Sequence, residues 1–349
     1  MLLLNIDWAL FLEKLILIAI IIFASLGIAL YMTYGERKIA GFLQDRHGPN
    51  RAGPFGLFQP LADGLKLIMK EEITPNNSNK ALFILGPSLA MLAALMTCAV
   101  VPWGDKIILA GRTIALQIAD VNIGILYVFG VVSLGVYGIM IGGWASNNKF
   151  SLLAALRGAS QAISYELAMG LSLIALLMMT GTLQLGEIVK QQQAPGHLWN
   201  IVYQPVGFLI FLITAFAECN RAPFDLSEAD NELNMGYHQE YSSMKMGFYL
   251  FSEYINMFIS SVIMSTLFFG GYDVPFLDES KLPVNIVAIV GIVALMVKAS
   301  IFIFFFMWVR WTIPRFRYDQ LMNLGWKKLV PLALLNMLIT GAVILWLKK

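Results

Sequence analysis

Long apolar runs separated by short polar segments repeat along the whole chain. Eight of them approach the roughly 20 residues a helix needs to cross a bilayer, at approximately 10–33, 80–102, 121–144, 160–182, 203–217, 247–271, 285–308 and 328–347. The fifth is short and reads on through Glu218. All eight tryptophans lie near an end of one of these runs, as expected of an interfacial aromatic belt. The pattern predicts an all-α, polytopic membrane protein in a single membrane domain spanning 1–349. The first run follows Asp7, has no basic segment before it and is long, so it reads as a retained span and not a cleaved leader. One predicted helix does not span. After Gly48-Pro49, Gly53-Pro54 and Gly56, the pair Gln59-Pro60 opens a short element with Leu61, Leu65, Ile68 and Met69 on one side and Asp63, Lys66 and Lys70 elsewhere. It is amphipathic, and suits either the plane of the membrane interface or packing beneath a partner.

Composition agrees with the pattern: 58% of the residues are hydrophobic and 13% charged, against roughly 25% charged in soluble domains. A net charge of +2 offers no basis for a nucleic-acid partner. The basic residues are unevenly placed. Segments 34–79, 145–158, 218–246 and 309–328 hold fifteen Lys and Arg, while the alternate connections and termini hold six. By the positive-inside rule the first set faces the cytoplasm, or the matrix or stroma of an organelle, and both termini lie on the other side. A bacterial inner membrane with periplasmic termini is the expected location, in preference to an organellar one. The long inner loops 34–79, 218–246 and 309–327 then form the expected docking face for a soluble partner.

The candidate chemistry is acidic. Glu218, Asp225, Glu228, Asp230, Glu232, Glu240 and Glu253 fall within one short stretch, with only Arg221 and Lys245 inside it to answer them. Glu166, Glu253 and Lys298 lie within predicted spans, where a charge costs on the order of 2.5–3.5 kcal/mol unless paired or hydrated. A proton or ion path explains such carboxylates, and so does structural pairing or a solvated loop; Lys298 has the further option of snorkelling. Clustered carboxylates repel, so some are expected to hold protons near neutral pH. The remaining chemistry is sparse. No phosphate-binding glycine motif, nucleophile elbow or zinc helix occurs. Cys98 and Cys219 have no ligand-type spacing, and His47, His197 and His238 have no metal-ligand partner at helical spacing. Gly138 and Gly142 form a GxxxG that close helix packing explains. No redox cofactor, metal or catalytic residue is therefore expected in this chain.

Three stretches carry a resemblance. AECNRAPFDLSEADNELNMGYHQEYSSMK (217–245), GERKIAGFLQDRHGPNRAGPFGLFQPLADGLKL (35–67) and PRFRYDQLMNLGWK (314–327) resemble, in order, motifs of the H subunit of respiratory complex I, the family of mitochondrial NADH dehydrogenase subunit 1. The resemblance implies a membrane subunit of a proton-pumping NADH:quinone oxidoreductase at the junction with the hydrophilic arm. Flavin mononucleotide (FMN) and iron–sulfur clusters would sit in partner subunits, quinone would be the substrate, and small membrane subunits and antiporter-like subunits would be neighbours. The first and sixth spans and the amphipathic helix would line the quinone chamber. Arg37, Arg46, Asp63, Arg221, Asp225, Arg315 and Arg317 would serve the chamber and junction, and Glu166, Glu218, Glu228, Asp230, Glu232, Glu240 and Glu253 the proton path. Two residues depart from the family pattern: Cys219 stands for a common Thr, and Asp230 for a common Glu. Electron input leaves no trace in this chain, so a related subunit of a membrane-bound hydrogenase or of a ferredoxin- or coenzyme F420-linked dehydrogenase fits the same motifs. A free-standing secondary transporter would show paired, interrupted spans in two halves, which the sequence lacks.

Overall fold

The computed structural model describes residues 8–109, 111–194, 196–275 and 282–347, the side chains of Asp230 and Asn231 excepted. Among the described residues, seven helices are long and apolar enough to cross a membrane. In chain order the elements are α1 (Trp8–Leu43), α2 (Gln59–Met69), α3 (Lys80–Thr97), strands β1 (Lys106–Leu109) and β2 (Arg112–Ala115), α4 (Gly124–Ala145), α5 (Lys149–Thr180) and α6 (Leu185–Gln193). There follow α7 (Asn200–Tyr203), α8 (Pro205–Glu218), α9 (Asp230–Leu233), α10 (Ser243–Phe268), α11 (Val284–Thr312), α12 (Tyr318–Leu324) and α13 (Val330–Leu347). The remaining predicted span, the fifth, is α8, whose 14 residues reach only about 21 Å at 1.5 Å per residue.

Helix starts follow local chemistry. Asn79 and Asn148 accept backbone N–H groups at the heads of α3 and α5, and Pro60 and Pro205 occupy first-turn positions where no donor is needed. Helix lengths depart from hydropathy. Helix α1 continues to Leu43, well beyond the predicted boundary at 33, and α5 begins at Lys149 instead of 160. Hydropathy locates where lipid ends, and a helix stops only where its backbone bonds are interrupted.

Helix α10 is the central post, with Tyr249, Phe258, Met264 and Phe268 among its fully enclosed side chains. Helices α3 and α4 pack closely beside it. Gly138 lies against Gly86 and Ala90 of α3, and a Cβ on Gly142 would overlap the Tyr249 hydroxyl. The GxxxG thus works as the packing motif expected of it.

The connections segregate to the two ends as the charge count divides them. At one end Ser242 and Ser243 bind the backbone of Glu71 and Leu67, Asn148 donates to Glu240, and Phe316 N–H donates to the Pro223 carbonyl. This is the loop end. At the other, β1 and β2 form an antiparallel hairpin pairing Lys106 with Ala115, and the Asn285 amide of α11 brackets the backbone of Ile108. The all-helical reading does not anticipate this hairpin, because four-residue strands lie below the resolution of hydropathy.

Lys298 turns toward the hairpin end and not into a carboxylate path. Its ammonium donates to the carbonyls of Phe269, Gly271 and Asp273 at 2.7, 2.9 and 2.6 Å, closing the C-terminus of α10 where cations are favoured. Lys298→Met leaves those carbonyls unmatched, at about 1–3 kcal/mol. A lower thermal midpoint of the purified protein with unchanged turnover per folded molecule is the expected outcome.

Candidate functional site: a buried charge network and two voids

The chain from 219 to 242 folds back across the loop end and is tied there from three sides. Gln161 of α5 donates its amide to the carbonyls of Ala217 (2.9 Å) and Phe224 (2.7 Å). Arg315 meets Asp225 at 3.1 Å. Tyr237 N–H returns to the Ser227 carbonyl at 3.3 Å, across a turn in which Gly236 adopts φ +66°.

This fold-back buries a run of opposite charges. Arg221 lies between two carboxylates, 3.7 Å from Glu36 on α1 and 3.6 Å from Glu253 on α10, with its guanidinium 4.2 Å over the Tyr254 ring. Glu36 also accepts from Arg310 of α11 at 2.6 Å and from the Tyr254 hydroxyl at 2.9 Å. Beyond Glu253, whose Oε1 accepts from the Tyr237 hydroxyl at 3.1 Å, lies the His238 imidazole. Its Nε2 is 3.8 Å from Glu253 and 3.4 Å from Glu228. Glu36, Glu253 and Glu228 are thus answered by Arg310, Arg221 and His238, the balance that buried ions require.

Protonation in the loop follows from this pairing. Burial alone would lower the His238 pKa, but pairing with Glu228 and Glu253 outweighs it and pushes it up to about 10. Burial would raise Glu228, yet His238 and then Arg221 hold it low, at about 2. Asp225 behaves differently. Burial and the neighbouring Glu228 charge push it up to about 8 against the pull of Arg315. Burial first and repulsion second thus raise one carboxyl of the loop, while a histidine from the same loop relieves another.

Two small voids continue from this network into the bundle. One, of about 30 Å³, is lined by Tyr237, Glu253, Asn256 and Glu218. The next, of about 50 Å³, is lined by Glu218, Asn256, Ser260, Thr97 and Glu166. A water needs roughly 10–15 Å³ of such space and polar partners. Both voids exceed that volume, but the second is walled mostly by apolar side chains such as Val128, Phe129, Leu173 and Phe211, so its polar partners are confined to the few named groups. Glu166 accepts from Ser133 at 3.1 Å, and Oε2 of Glu218 is buried with no hydrogen-bond partner among the described residues.

Comparison with known proteins shows the family of the chain. The family profile described as NADH dehydrogenase matches residues 15–341. The chain belongs to the NADH dehydrogenase family. It is 64% identical over 334 residues to an H subunit of the NADH-quinone oxidoreductase of Cytophaga hutchinsonii, covering 96% of this chain and 97% of that protein. It is 62% identical over 339 residues to the H subunit of the NADH-quinone oxidoreductase of Flavobacterium johnsoniae, with 97% and 96% covered. An H subunit of the Geobacter sulfurreducens NADH-quinone oxidoreductase is 49% identical over 329 residues, with 94% and 95% covered.

In this member of the NADH dehydrogenase family the residues singled out from sequence divide into three groups. Glu228, Glu253, Glu218 and Glu166 lie along the network and voids, with Arg221 inside it and Asp225 and Arg315 beside it. Arg37 and Asp63 pair at 2.7 Å and join α1 to α2. The rest lie toward the surface: Glu232 pairs with Arg157 and Glu240 with Asn148, Arg46 reaches Gln44 and Arg317 reaches Asp319. The side chain of Asp230 is outside the described residues. Sequence reasoning passed over Glu36, Arg310, Tyr237, His238 and Tyr254. Glu36 had a signal, since it continues the buried stripe Leu17, Ile21, Ser25, Ala29, Met32 of α1 at helical spacing. His238 had none; its partners stand ten and fifteen residues away and meet it only through the fold-back.

Proposed function

We propose that this chain is the membrane subunit of a proton-pumping NADH:quinone oxidoreductase that forms the quinone-access chamber and the first part of a carboxylate proton path. The observation that carries the proposal is the pair of voids sharing Glu218 and Asn256. They set Glu218 between Glu253 and Glu166, which stand on different helices, so that a proton has a carboxylate to step through. The names of the relatives support the enzyme class.

The chamber lies where α1, α2 and α10 meet. Leu61, Leu65, Ile68 and Met69 of α2 stay exposed, an apolar face suited to a quinone tail or to the subunit that closes the chamber. The loop end faces the bacterial cytoplasm and docks the hydrophilic arm, whose subunits carry the FMN and iron–sulfur clusters; the termini face the periplasm. Quinone reduction near Glu36, Arg37 and Asp63 adds negative charge and draws protons. The charge balance around Arg221 shifts in response, and a proton passes from Glu253 through Glu218 toward Glu166 and the antiporter-like neighbours.

Glu218→Gln removes the exchangeable proton and keeps the shape. Quinone reduction and pumping in the assembled complex should fall by on the order of a hundredfold, while NADH oxidation by a hydrophilic acceptor that bypasses quinone stays unchanged. An assembled variant with wild-type rate and proton yield ends the path assignment.

A further inference from the structure

His238 has a fixed side and a free side. Its Nδ1 lies 3.1 Å from the Met235 carbonyl oxygen, so Nδ1 carries a hydrogen and donates it. Only Nε2 is then left to exchange a proton, and it faces two carboxylates, Glu228 Oε1 at 3.4 Å and Glu253 Oε1 at 3.8 Å. The ring cannot turn away. Tyr237 covers it at 4.0 Å between centroids, and Tyr249 stands edge-on at 6.1 Å. Nε2 makes no close hydrogen bond among the described residues and is buried from solvent, as is Oε2 of Glu253. A sub-ångström swing of either carboxylate brings it into the range of roughly 2.7–3.2 Å for N–H···O bonds.

We propose that His238 carries protons between Glu228 and Glu253, a step that rests on the path reading above. The imidazolium gives its Nε2 proton to Glu253 Oε1: the N–H bond breaks, an O–H bond forms, and the ring is left as the neutral Nδ1–H tautomer held by Met235. The Nε2 lone pair then takes a proton from Glu228 after that carboxyl, the less buried of the two, has been protonated from the loop end. The imidazolium is restored, one proton has moved from Glu228 to Glu253, and no oxidant or reductant is needed. Glu253 stands at the mouth of the first void and has the Tyr237 hydroxyl to hold it.

The surrounding charges favour this cycle. Among the described residues, Glu228 and Glu253 face the ring, Tyr237 and Tyr249 pack on it, and Asp225 and Arg221 stand behind the two carboxylates. With both carboxylates ionised the imidazolium is strongly favoured. Protonating either one removes a partner and lowers the ring's affinity for its own proton. A proton arriving on one side therefore promotes release toward the other.

Two substitutions separate relay from mere charge balance. His238→Gln keeps a polar amide and cannot titrate; His238→Lys keeps a positive charge and holds its proton at neutral pH. Both are expected to lower quinone reduction and pumping by at least roughly tenfold, within the span for proton-transfer groups, in assembled complex with unchanged NADH oxidation by a hydrophilic acceptor. Activity restored by Lys reduces His238 to a fixed counter-charge and overturns the proposal, as does a wild-type Gln variant. If neither variant assembles, redox-induced infrared difference spectra of wild-type complex carrying ¹⁵N-histidine decide. An imidazolium-to-imidazole signal accompanying quinone reduction is expected, and its absence rejects the relay. Glu218→Gln is measured in parallel: if it is impaired while the His238 variants are not, only this proposal fails. If it too is wild-type, the path reading fails with it.

Discussion

Arg221→Met is expected to remove most of the assembled complex from the membrane. Arg221 is almost wholly enclosed and stands between Glu36 and Glu253, themselves enclosed. Breaking one partner out of a buried ion cluster costs about 3–5 kcal/mol, a large part of the roughly 5–15 kcal/mol that holds a folded domain. The loss is uneven. Glu36 keeps Arg310 and the Tyr254 hydroxyl, whereas Glu253 keeps Tyr237 and a longer contact to His238. Arg221 also gives up its position over the Tyr254 ring, an attraction of the cation–π kind. Because the penalty is an uncompensated charge, removing that charge should relieve it. The double variant Arg221→Met with Glu253→Gln is expected to recover assembly, measured by native electrophoresis and thermal unfolding, though not pumping. A double variant no better than the single one would contradict the charge-balance account.

Gly236→Ala is expected to be nearly as damaging through a different cause. Gly236 takes φ +66°, a left-handed conformation that costs a residue with a Cβ roughly 1–2 kcal/mol. The added carbon would also overlap the Ser227 carbonyl oxygen and stand 2.7 Å from the Glu228 oxygen and 2.8 Å from its Cα. All three are backbone atoms of the same fold-back, so no side chain can move aside. The turn must open, and opening it draws Tyr237 and His238 away from Glu253 and Glu228. Quinone reduction should fall by on the order of tenfold or more in whatever complex assembles, consistent with loss of a positioned proton-transfer group. Gly170→Ala is the matched control, because nothing lies within 4 Å of its added carbon and alanine suits a helix interior better. Equal effects of the two substitutions would mean that the fold-back does not place the site.

How much could be read beforehand follows from these residues. The apolar runs correspond to seven long helices and the short α8, because the cost of unpaired backbone in lipid forces each run into a helix. The connections sort to opposite ends as their Lys and Arg content divided them. Gly138 and Gly142 are packed by α3 and Tyr249, as a small-residue spacing implies. The acidic stretch was visible as a cluster, but its seven members are not equivalent. Glu232 and Glu240 face outward to Arg157 and Asn148, while Glu228 and Glu253 turn inward. A count of carboxylates per segment cannot make that distinction, since it depends on the direction in which each leaves a folded-back loop.

What the sequence by itself determined is the membrane architecture, the grouping of its connections and the identity of the acidic elements. Lipid imposes these through local composition, which each segment carries independently of the others. Only the tertiary structure decided which charges answer which: Glu36 with Arg310 and Arg221, Glu253 with Arg221 and Tyr237, His238 between Glu228 and Glu253. Those partners are separated by up to 274 positions, as Glu36 and Arg310 are, and their attraction depends on a distance and a degree of burial that no local pattern records. The same holds for the two voids, which are spaces between helices and so belong to no segment of the chain.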